Sequence, residues 1–178
     1  MKKVSLATII LASLASSSVF ANTGTVNFIG SITDTTCDFT AEQDGAQTNN
    51  VDLGTWSVAD VTGESTTDVD FSLVGKNTDG TVCTLTSGKS VDVSWVPVTG
   101  SWDAYGLQNT GTAEGAAVKL MDKNEKAFST VYTNVNYTES DVTDGRLPFK
   151  AKIVKAGSAA TVKAGTVLAA ASFSVAYK

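Results

Sequence analysis

Apolar and polar side chains alternate in short runs along most of this chain. Val26, Phe28 and Ile32 alternate with Asn27, Ser31 and Thr33, and Val69, Phe71 and Leu73 with Asp68, Asp70 and Ser72. Val91, Val93 and Trp95 alternate with Ser90, Asp92 and Ser94. The pattern returns at Val118 and Leu120, through Leu147, Phe149, Ala151 and Ile153, and at Phe173, Val175 and Tyr177. A period of two places each apolar set on one face of a strand, where β-branched and aromatic side chains pack well. Clusters of Gly, Asn, Asp and Ser separate the runs. The pattern therefore predicts about seven short strands in an antiparallel sandwich or barrel. The stretch 156–171 is Ala-rich enough to suggest a helix, but Gly157, Gly165, Val162, Thr166 and Val167 oppose one. It reads as a turn leading into the last strand.

The first residues follow a different rule. Lys2 and Lys3 precede a largely apolar, uncharged run from Val4 to Leu14, then Ala15, Ser16, Ser17 and Ser18, then Val19-Phe20-Ala21. A basic head, a short apolar run and a small residue at the cleavage point describe a secretory signal peptide. A membrane-spanning helix needs roughly 18 or more apolar residues, and Ser5, Thr8 and Ser13 interrupt a run that is already too short. The sequence thus divides into a leader over 1–21, an N-terminal extension over 22–33 and a single domain over 34–178.

Export changes the reading of the cysteines. Cys37 and Cys83 are the only two, and in an oxidising compartment they are expected to pair. Chain entropy alone values such a cross-link at about 4 kcal/mol. With no histidine and no further cysteine, a soft metal site would be short of ligands; no metal or other cofactor is expected. The net charge of −5, from 18 acidic and 13 basic side chains, gives no basic surface for nucleic acid.

The two terminal strands carry the most information. In 22–32, Val26, Phe28, Gly30 and Ile32 fall on one side. A glycine among large apolar residues weakens a lone strand but suits the close approach of another backbone. At the other end, Phe173, Val175 and Tyr177 alternate up to Lys178, with no partner strand following in sequence, which implies an open sheet edge.

These features together resemble a known family. The pattern Gly24-x-Val26-x-Phe28-x-Gly30-x-Ile32 before Cys37 is similar to the start of the major subunits of chaperone–usher fimbriae, the type-1-like pilins. Asp52-Leu53-Gly54, Val118-Lys119-Leu120-Met121-Asp122, Pro148-Phe149-x-Ala151, Ala164-Gly165 and Ala171-x-Phe173-x-Val175-x-Tyr177-Lys178 follow in the same order. The resemblance implies an immunoglobulin-like β-sandwich lacking its last strand. A periplasmic chaperone would lend a strand to the groove, and the N-terminal extension of a neighbouring, identical or related subunit would replace it at the outer-membrane usher. By position, Val26, Phe28, Gly30 and Ile32 would form the donor strand. Phe173, Val175 and Tyr177 would border the acceptor groove and meet the chaperone. The location implied is a fimbria on the bacterial surface, reached through the periplasm, where it would support adhesion to host cells.

Other function classes fare worse. Without histidine there is no Ser-His-Asp or Cys-His arrangement. Asp68, Asp70, Asp79, Glu139, Asp141 and Asp144 sit in polar turns or on solvent faces, so no catalytic residue is assigned. Asp141 to Gly145 lacks the spaced ligands of a calcium loop. A subunit that itself binds host carbohydrate is the alternative, with Trp102 and Tyr105 as contacts, because aromatic faces stack on sugars. The competing reading of these two is that they pack a loop. N-terminal sequencing of the exported protein should begin at Asn22; an intact Met1 on surface material would contradict the leader assignment.

Overall fold

The computed structural model describes residues 37–178. The leader over 1–21 and the extension over 22–33, with Val26, Phe28, Gly30 and Ile32, lie outside the described residues.

The alternating runs fold as strands packed in two sheets. In chain order the elements are β1 (Asp38–Gln43), β2 (Ala46–Gln47), α1 (Val58–Thr62), β3 (Val69–Lys76), β4 (Ser90–Pro97), β5 (Leu107–Gln108), β6 (Ala116–Met121), β7 (Asn134–Thr138), β8 (Arg146–Lys155) and β9 (Ala171–Tyr177). One sheet has the order β2-β1-β3-β8-β6-β5 and the other β7-β4-β9, and every paired neighbour is antiparallel. In an immunoglobulin sandwich, strands A, B, E and D form one sheet and C, F and G the other. Here β1, β3, β8 and β6 fill A, B, E and D, and β4 and β9 fill C and F. The place of G, beside β9, holds no strand among the described residues.

Register explains why the fold closes around one core. Phe71 opposes Phe149, and Leu73 opposes Leu147, across β3 and β8. Val118 and Leu120 extend that inner face on β6, and Val91, Val93 and Trp95 face it from β4. Phe149 is the hub, with ring centroids 5.3 Å from Trp95, 5.6 Å from Phe71 and Tyr137, and 6.2 Å from Phe128. The Trp95 and Phe149 rings meet edge to face at 85°, the arrangement their quadrupoles favour.

A buried carboxylate and a disulfide brace the sandwich. Buried Asp122 accepts backbone N–H bonds from Asn124 and Lys126 on one oxygen, and the Tyr132 hydroxyl on the other at 2.6 Å. That satisfied carboxylate fixes the reversal after β6. The phenol is held well above its ordinary pKa, by burial first and by donation to Asp122 second. Cys37 and Cys83 are bonded, with Cα atoms 6.3 Å apart, as expected from the sequence. The stretch 156–171 contains no helix, also as expected. After a turn its extended backbone bonds to the 109–114 segment, through Thr110 N–H to Leu168 and Ala113 N–H to Thr166.

Phe149→Ala should cost about 3–5 kcal/mol, because the ring touches both sheets and its loss leaves a cavity at the centre of the aromatic cluster. Denaturant unfolding checks this. A loss below about 1 kcal/mol would mean the core is not organised around Phe149.

Candidate functional site: an open groove beside the last strand

The free edge of β9 follows from its ladder with β4. Ser90 and Lys178 exchange both backbone bonds, at 3.0 and 2.8 Å. Antiparallel pairs alternate between bonded and non-bonded positions. Ala176, Ser174 and Ser172 are therefore bonded to Asp92, Ser94 and Val96, and the N–H and C=O groups of Tyr177, Val175, Phe173 and Ala171 point the other way. Among the described residues no strand receives them.

Side chains tell the same story. Opposite each other across the ladder stand Val91 and Tyr177, Val93 and Val175, and Trp95 and Phe173. On β4 all three are buried, while their β9 partners are only half-buried although they face the same core. An inward-facing row that is half-covered on one strand and fully covered on the next has lost a neighbour on its outer side. Phe39 and Ala41 on β1 are half-buried in the same way across the gap, and the Phe39 ring lies 6.2 Å from Tyr177.

Between these edges runs an apolar groove of 1190 Å³. Its floor includes Phe71, Val118 and Leu120, and Phe173 lies on its β9 side. This exceeds the roughly 300–1,000 Å³ of ordinary small-molecule pockets, and a row of strand side chains would suit it better. Near Ile153, α1 and its cap line the groove through Ser57, Val58 and Val61. Ser57 caps that helix by accepting from the Asp60 N–H while Asp60 accepts from the Ser57 N–H. Val61, fixed by the cap, packs with Ile153 and Ala116. Backbone-to-backbone contacts of Gly165 with Ala113, and of Gly111 with Thr166, leave no room for a Cβ and let the 161–169 segment lie flat as the groove's upper wall.

Of the three C-terminal residues expected at the groove, Phe173 lines it, and Val175 and Tyr177 continue the same half-buried row toward Phe39. The Phe173 ring lies 5.4 Å from that of Trp95, tilted at 60° to it. Burial raises the Tyr177 phenol above its ordinary pKa, and its buried hydroxyl has no hydrogen-bond partner among the described residues. The remaining aromatic candidates separate. Trp102 is a core residue, its ring stacked on Phe128 at 6.4 Å, so it offers no face to a sugar. Tyr105 is exposed, its ring lying over Gly157. This is the loop-packing arrangement, and it does not favour the carbohydrate reading.

Sequence reasoning left Leu53, Trp56 and Val61 without a role, yet all three line the groove. The Ser57-x-x-Asp60 box ahead of Val61 was a usable helix-start signal. No group of three or more metal-ligating side chains occurs among the described residues.

Comparison with known proteins agrees with this geometry. The sequence model of the family described as "Fimbrial protein" matches residues 26–178. The K99 fimbrial protein of Escherichia coli is 33% identical over 99% of both chains. A type-1 fimbrial protein subunit of Serratia marcescens is 29% identical over the whole of both. The P pilus rod subunit PapA superposes with a TM-score of 0.54 at 20% identity, covering 86% of this chain and all of that one. A chaperone–usher pilus subunit from a study of rod uncoiling superposes equally well over 92% of this chain and all of its own. These two structures share the fold. A sandwich open beside its last strand, joined to this family match, makes the chain a member of the fimbrial protein family and a structural subunit of a surface fimbria, not an enzyme.

Proposed function

We propose that the groove beside β9 is filled by residues 22–33 of another copy, so that subunits join head to tail by donor-strand exchange. The half-burial of Phe173, Val175 and Tyr177 against the complete burial of their β4 partners carries this reading. A strand added there would take up the free backbone groups of β9 and bring Val26, Phe28 and Ile32 over the apolar floor. Each such side chain contributes roughly 1.5–3 kcal/mol when buried, and the ladder bonds fix its register. Gly30 would sit where the incoming backbone approaches most closely.

The same edge explains the need for an assembly pathway. An uncovered row of backbone donors and acceptors with apolar side chains beneath it invites aggregation. A periplasmic chaperone lending a strand would cover it first, and an outer-membrane usher would exchange that strand for the next subunit's extension. The leader over 1–21 delivers the chain to that compartment, and the finished fimbria supports adhesion to host cells.

Fusing a short linker and a copy of residues 22–33 after Lys178 lets the donor fold back on its own groove. The fusion should be monomeric and several kcal/mol more stable than the unmodified chain. Phe28→Asp with Ile32→Asp in the added copy should remove the gain. An unmodified chain that is monomeric and equally stable would show the fold complete without a donor. Gly30→Trp in the natural extension should prevent polymerisation while chaperone binding, measured by co-purification, stays near normal. Normal fimbriae from that variant would place the donor elsewhere.

A further inference from the structure

Exposed apolar side chains are ordinary when scattered, but here they gather. Among the described residues, four of the seven large exposed ones lie at one end of the smaller sheet: Val96 at 57% exposure, Val98 at 62%, Val131 at 93% and Leu168 at 59%. Val96 and Val98 share the parity of Asp92 and Ser94, so they lie on the outer face of β4. Val98 N–H bonds to Ala170, bringing the approach to β9 alongside, and Leu168 has the parity of Ala170 and Ser172 on that same outer face. Trp95 N–H bonds to Thr133, which carries the Ser129–Tyr132 turn, with Val131 at its tip, to the same end. Nothing within the described fold covers this patch, and grouped apolar surface of this kind marks an interaction site.

We infer that the patch is covered by the body of the subunit whose extension fills the groove, a second copy of this chain. The inference rests on the donor-strand reading above. Completing an antiparallel sandwich requires the donor to run opposite to β9, so its last residues, Gly30 and Ile32, lie beside the start of β9. Only Thr33, Asp34, Thr35 and Thr36 separate Ile32 from Cys37. Five residue steps span roughly 18 Å at full extension. The second copy's disulfide end is therefore tethered close to Leu168 and Val98. That end presents an apolar residue of its own. Val82, next to Cys83, is 40% exposed and packs against Gly145. The opposed surfaces differ, so each contact repeats along an open filament instead of closing on itself. The short tether together with this second contact fixes the angle between successive subunits, which a strand in a groove alone would leave free to pivot.

Photo-crosslinking in assembled fimbriae tests this. With Leu168 or Val131 replaced by p-benzoyl-phenylalanine, irradiation and peptide mapping should recover links to residues 77–83 or 142–146 of another copy. Links confined to the same chain, links to the outer face of the larger sheet around Lys150 and Lys152, or no links at both sites overturn the inference. The same residue introduced at Phe173 should link to residues 26–32 of another copy. If Phe173 links there while Leu168 and Val131 do not reach the disulfide end, the body contact alone is wrong. If Phe173 links elsewhere, the donor-strand reading falls first.

Discussion

Four consecutive inward positions on β9, Ala171, Phe173, Val175 and Tyr177, direct their N–H and C=O groups away from β4 and their side chains toward the core. Both halves of that arrangement ask for the same remedy. Backbone groups at a sheet edge must pair with something or remain in water. Water at this edge would sit directly over Phe71, Val118 and Leu120, the apolar floor of the groove. A single additional strand satisfies the ladder and dries the floor at once. The lining from α1, the glycine contacts of the groove's upper wall and the half-buried Phe39 opposite Tyr177 would suit the walls of that strand's seat.

Several family-like stretches acquire physical roles once placed in this fold. Asp122 holds the turn after β6 through three accepted hydrogen bonds. The carbonyl of Pro148 accepts the Tyr137 hydroxyl at 2.6 Å, tying β7 to β8 and placing Phe149 at the centre of the core. Leu53 lines the groove, following Asp52, whose carboxylate accepts the Gly54 N–H at 2.9 Å. Gly165 is the point where two backbones touch. None of these is a ligand in the chemical sense. Each shapes or braces the receptacle.

The longer strands were legible because their alternation is regular and their inward residues large. β3, β4, β6, β8 and β9 all coincide with runs of period two. Asp38–Gln43 was not recognisable as β1, since its inward apolar residues are only Phe39 and Ala41. Asn134–Thr138 carries just Val135 and Tyr137, too short a run to stand out. The half-buried inward row of Phe173, Val175 and Tyr177 was readable from the alternating last strand. The opposite wall at Leu53, Trp56 and Val61 was not, because it is formed by irregular backbone and a single helical turn with no periodic signal. Trp102 and Tyr105 lie three positions apart, yet one is core and one is surface, a distinction set by the loop's path.

The most direct test of the open sandwich is amide hydrogen exchange resolved along β9, on dilute unmodified chain and on the self-complemented fusion. In the unmodified chain Ser172, Ser174 and Ala176, bonded to β4, should exchange slowly, while Phe173, Val175 and Tyr177 exchange much faster. With the groove filled, the two sets should become comparably protected. Uniform protection along β9 in the unmodified chain would contradict the account, because it would mean the outer edge already has a partner.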